Sequence, residues 1–84
     1  MIFPDETTIL ISTTEKVYSG DMVVAVTRDD RDFIGIYKIE GNNVVIRDFR
    51  DHQVLCFEHK NIHNMIRWIF PIISMKLECL HQKH

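Results

Sequence analysis

Apolar positions along this chain come in short runs separated by polar turns, and the spacing within most runs is that of strands. The β-branched run from Thr7 to Ile11 predicts a short first strand. After the turn pair Ser19-Gly20, the run Met22 to Thr27 (MVVAVT) is too short for a helix and predicts a second strand. Asp29-Asp30-Arg31-Asp32 predicts a polar turn. Beyond it Phe33 to Ile39 alternates, with Ile34, Ile36 and the stem of Lys38 on one face and Phe33, Tyr37 and Ile39 falling less cleanly on the other. Gly41-Asn42-Asn43 predicts a tight reversal, because Gly and Asn adopt positive φ at low cost, and Val44 to Phe49 is its return strand. Asp51-His52 turns the chain once more, and Val54 to Glu58 sets Val54, Cys56 and Glu58 opposite Leu55 and Phe57.

The last third carries two competing periods. Ile62, Met65, Ile66, Ile69 and Ile73 fit a helical spacing, but Pro71 would remove a backbone donor from that helix at a cost of about 3 kcal/mol. The strand reading puts Ile66, Trp68 and Phe70 on one face, with Pro71 at a bulge or edge and Ile73, Met75 and Leu77 resuming inward. Five β-branched isoleucines between 62 and 73 favour it. Short strands bounded by frequent turn signals predict an all-β domain built on a small, twisted antiparallel sheet of barrel-like form. One domain is expected over residues 1–84, its core running approximately from 7 to 77 and a polar tail from 78 to 84 fraying.

Composition narrows the function classes. Ten basic against twelve acidic side chains among 84 residues give a formal net charge of −2, which argues against a free-standing nucleic-acid binder. No apolar run approaches the roughly 20 residues of a membrane-spanning helix, and MIFPDETT lacks the basic-then-apolar layout of a secretion signal. Two cysteines, Cys56 and Cys79, are too few for a disulfide framework. A cytoplasmic protein with reduced thiols is the expectation. The chain is either a small protein in its own right or a domain of a longer one.

Ser12-Thr13-Thr14-Glu15-Lys16-Val17-Tyr18-Ser19-Gly20-Asp21, followed by the apolar strand from Met22, resembles a degraded signature of LexA-type and phage-type repressor C-terminal domains. Those domains read Ser-Met-x-Pro-x-hydrophobic-x-x-Gly-Asp before a hydrophobic strand. Ser12 stands at the spacing of the nucleophile, eight residues before Gly20, while Thr13 and Glu15 replace the Met and the Pro. Gly35-Ile36-Tyr37, Val44-Val45-Ile46-Arg47 and Met65 to Ile73 resemble three further strands of the family in order. The resemblance implies a twisted β-fold that dimerises a repressor and cleaves an upstream linker with a Ser/Lys pair.

The implied chemistry fails at one residue. A serine becomes a nucleophile only with a base in hydrogen-bonding reach, and the family uses a lysine whose pKa burial lowers. The matching position here is Arg47, whose guanidinium stays protonated and has no acceptor for the serine proton. Ser12 and Arg47 are thus expected as vestiges of a lost site, with Ser12 a turn hydroxyl and Arg47 either plugging the old site or paired with Asp48 or another carboxylate. An active peptidase in which Ser12 finds Lys16 or Lys38 is the alternative, and an unrelated β-barrel adaptor is another.

Cys56-x2-His59-x3-His63, with Cys79 and His81 further on, has a ligand-like spacing but no second paired knuckle, so no metal and no cofactor are expected. The acidic turn at 29–32 lacks the Gly and the closing Glu of a calcium loop. The bulky segment Arg67-Trp68-Ile69-Phe70-Pro71 puts large apolar side chains on both faces of one strand, which predicts a partner on the outer face. Trp68, Phe70 and Ile72, with Ile66 secondary, are the expected interface of a homodimer or higher homo-oligomer. DNA would be contacted only through a separate N-terminal domain, and no membrane is involved.

Overall fold

A computed structural model describes residues 8–76, with side chains as far as Ser74; the expected tail from 78 to 84 lies outside the described residues. The chain is all-β and antiparallel. Among the described residues six strands run β1 (Thr8–Ile11), β2 (Met22–Thr27), β3 (Asp32–Glu40), β4 (Asn43–Asp48), β5 (Val54–Glu58) and β6 (Ile66–Lys76). A 3-10 turn at His59–Asn61 and a one-turn helix α1 at Ile62–Met65 precede β6. The sheet order is β1-β6-β2-β3-β4-β5, so the sheet has two ends, β1 and β5.

Alternation decides which side of each strand is buried. Val23 and Ala25 on β2, Phe33 and Tyr37 on β3, Val44 and Ile46 on β4, and Leu55 and Phe57 on β5 make one core with Ile66. Among the described residues, Val17 from the loop before β2 and Ile62 and Met65 from the turns before β6 pack against this face.

The turns follow their residues. The two-residue connection Gly41-Asn42 closes the β3–β4 hairpin with Glu40 opposite Asn43 and Gly41 at φ +64°, the arrangement of a type II′ turn. Asp30 and His52 hold positive φ in the other two hairpin loops. Gly35 is a different case. A Cβ there would lie 1.8 Å from the Arg47 carbonyl oxygen, so β3 and β4 approach as they do only because the side chain is absent.

The ambiguous third resolves into both of its readings in succession. The helical spacing holds for one turn, Ile62–Met65, and the strand then runs eleven residues. Pro71 sits in register opposite Val23, and its carbonyl accepts the Ser12 N–H at 3.0 Å. Its missing N–H therefore falls on the β1 side, opposite Ser12 just past the end of β1, and the pairing with β2 is left intact. The register shift in this part of β6 is at Arg67, where Thr27 faces Ile66 but Val26 faces Trp68. This corrects the expected face of Ile66: one extra residue turns its side chain into the core, away from Trp68 and Phe70.

Candidate functional site

Opposite the core, the sheet is apolar over β2 and the adjoining parts of β3 and β6. Trp68 lies opposite Val26 and Phe70 opposite Val24, and Val24 and Met22 lie opposite Ile34 and Ile36. Trp68 and Phe70, two residues apart on one strand, stack with ring centroids 5.2 Å apart and planes inclined by 28°. Trp68 remains 38% exposed, while Val24, Val26 and Phe70 are half-buried. Further along the same face, Ile36, Lys38, Glu40, Val45, Arg47 and Phe49 line a shallow groove of about 290 Å³. Of the four residues expected at an interface, Trp68 and Phe70 lie together on this outer face, and Ile72 is half-buried opposite Ile11. Ile66 is core.

Ser12 and Arg47 are not brought together. Ser12 follows β1, and β6, β2 and β3 separate β1 from β4, on which Arg47 lies between Ile36 and Val54. Four inter-strand spacings amount to about 19 Å along the sheet. The Ser12 hydroxyl is buried and accepts the Thr14 and Glu15 N–H groups at 3.3 and 3.0 Å, so it serves its own turn. Lys38 lines the outer groove beside Arg47. The expectation that Arg47 plugs a site at Ser12 is thereby corrected, and so is its pairing with Asp48, which Arg50 takes instead.

That Asp48–Arg50 contact centres on a buried carboxylate, and sequence reasoning missed it. Asp48 is 1% exposed and accepts the Ile34 N–H at 3.0 Å, the Arg50 N–H at 2.7 Å and two guanidinium donors of Arg50 at 3.1 and 2.8 Å. The same guanidinium reaches the Asp32 carbonyl and carboxylate, tying the ends of β3 and β4 together. Burial alone would raise the Asp48 pKa, but the Arg50 guanidinium and the two N–H donors outweigh it and hold the carboxyl below its ordinary value. The Asp48 contact in turn raises Arg50 further into its charged range. A signal was present: Val44, Ile46 and Asp48 share one face of β4, so a carboxylate on the core side called for a buried cation nearby.

The remaining candidates disperse. In the acidic turn Asp29 takes Thr27 and Arg31, Asp30 takes Arg67 at 2.9 Å, and Asp32 takes Arg50. The Thr27 hydroxyl is the main reason the Asp29 pKa is lowered. Cys56 is exposed on β5, His59 lies in the 3-10 turn and His63 in α1. Among the described residues no three His, Cys, Asp or Glu side chains gather where a metal ion could be held, and no helix is long and apolar enough to cross a membrane. Comparison with protein-family models, with curated proteins and with solved structures gives no significant match to this chain.

Proposed function

We propose that this chain is a non-catalytic assembly domain that joins two copies of itself through the outer face of β2 and β6. The repressor resemblance supplies the role. Pairing two chains lets DNA-binding parts carried on a separate N-terminal domain engage two half-sites together, so affinity rises through effective concentration. The observation that carries this reading is the Trp68–Phe70 stack beside Val26 and Val24, an apolar patch facing away from the core. Charge agrees with a like partner: Arg67 is matched by Asp30 and Arg31 by Asp29, so the rim beside Trp68 carries both signs. The Ser12 hydroxyl accepts two backbone N–H groups of its own turn, and Arg47, at the position the family gives its lysine, lies beyond three intervening strands; both favour the non-catalytic part.

Sedimentation velocity of the parent and of Trp68→Glu tests it. The parent is expected to sediment as a dimer at micromolar concentration and the variant as a folded monomer. A parent that stays monomeric at several hundred micromolar overturns the reading.

A further inference from the structure

We infer that the groove on the outer face of β3 and β4 binds a small amphiphilic monoanion, a carboxylate carried on a hydrocarbon body. Side-chain alternation sets Ile36, Lys38 and Glu40 in file on β3 and Val45 and Arg47 beside them on β4, with Phe49 just past the end of β4. Ile36, Val45 and Phe49 are half-buried, whereas Lys38, Glu40 and Arg47 are exposed, so an apolar floor lies between charged walls. The volume, about 290 Å³, stands at the lower limit of small-molecule sites, roughly 300 Å³.

Charge identifies the ligand. Arg28 donates to the His63 carbonyl, Arg31 takes Asp29, Arg50 takes Asp48 and Arg67 takes Asp30. Arg47 is the one arginine among the described residues with neither a hydrogen-bond nor an ion-pair partner. Its cross-strand neighbours are Ile36 and Val54, both apolar, and its diagonal neighbour on β3 is Lys38, at a Cα separation of about 7–8 Å. Lys38 in turn lies opposite Val45, beyond which comes Cys56. Two like charges thus stand side by side among apolar residues and repel one another until an anion joins them. Glu40, on the far side of Lys38 from Arg47, offsets one of the two and leaves a single positive charge over. One carboxylate balances it, and its shape matches the planar fork of a guanidinium, which donates two parallel hydrogen bonds. A dianion fits less well, because Glu40 repels the second charge. Backbone N–H groups of paired strands point at neighbouring strands within the sheet, so they offer nothing to further oxygens in a groove on its face. The floor takes the hydrocarbon part, whose burial an inorganic anion cannot supply.

The test titrates octanoate into the isotopically labelled parent and follows the amide resonances of β3 and β4 by NMR. Saturable shifts centred on Lys38 and Arg47 are expected, with a dissociation constant of about 1 mM or tighter for a ligand of about ten non-hydrogen atoms. Octanol, with the same chain and no charge, is expected to bind at least about 10-fold more weakly, as for loss of a charge-assisted hydrogen bond. Arg47→Gln should weaken octanoate by a similar factor. Lys60→Gln, which removes a positive charge from the 3-10 turn outside the groove, should leave binding unchanged. Octyl phosphate at mildly alkaline pH, where it carries a second charge, is expected to bind no tighter than octanoate. Shifts that never saturate, octanol binding as tightly as octanoate, or Arg47→Gln binding like the parent overturns the site; tighter binding of octyl phosphate overturns the preference for a single charge. The octanol comparison uses the parent alone and so decides the matter independently of any variant. Ligand contact is read in monomer and dimer alike, and its failure leaves the assembly reading untouched.

Discussion

Replacing Asp48 by alanine removes a carboxylate that four hydrogen bonds converge on, and the cost can be worked from the geometry. The Ile34 and Arg50 N–H groups lose their acceptor. A buried donor left without a partner costs about 1–3 kcal/mol, so the two together cost about 2–6 kcal/mol. Breaking a buried ion pair from one side gives about 3–5 kcal/mol by a separate route, and Arg50, one-third exposed, recovers some solvation. The expected loss is therefore about 3–5 kcal/mol. At about 0.05–0.15 kcal/mol per residue, a domain of this length holds only about 4–13 kcal/mol, so the variant sits near the edge of folding. Urea unfolding followed by circular dichroism and by the fluorescence of Trp68, the single tryptophan, measures it. The pH dependence adds a signed check. Because the folded carboxyl has a lowered pKa, its contribution is fully present above the ordinary carboxylate range, about pH 4, and is lost as pH falls through the folded value. The parent should lose stability over that acid interval, and Asp48→Ala should lose less there. A loss under 1 kcal/mol at pH 7, or identical acid slopes for the two proteins, would refute the role given to this contact.

Two further outcomes follow from the backbone. Gly35→Ala drives a methyl group into the Arg47 carbonyl and forces β3 from β4; overpacking costs about 1–3 kcal/mol and occasionally more, and each strained or lost ladder bond adds about 0.5–1.5 kcal/mol, so thermal unfolding should shift sharply downward. Ser12→Ala leaves two N–H groups of its turn without their acceptor and should destabilise the fold by about 1–2 kcal/mol; incubated at alkaline pH with a linker-bearing substrate, parent and variant should be equally inert, and Ser12-dependent cleavage would restore the peptidase reading.

Much of this architecture is local and can be read along the chain. The runs at Met22–Thr27 and Val54–Glu58 are bounded by turn residues and alternate with period two, so both their type and their buried face follow from side-chain order. The Gly41-Asn42 turn is likewise local, since positive φ is a property of the residue that adopts it. The all-β class and the apolar outer face at Trp68 and Phe70 belong here too. What the chain does not display is anything that depends on which strand lies beside which. The bulge at Arg67 exists because β6 must register against β2, and that single extra residue moved Ile66 from the expected interface into the core. Ser12 and Arg47 occupy family-like spacings in sequence, but sheet order places three strands between them, and proton transfer depends on distance in space. The Asp48–Arg50–Asp32 tie and the need for glycine at 35 arise only when β3 and β4 are brought together. The amino-acid order by itself determined where strands form and which side of each is apolar, because those are properties of neighbouring residues. Tertiary structure decided which apolar side chains became core and which strands lie side by side, because both are relations between segments far apart in the chain.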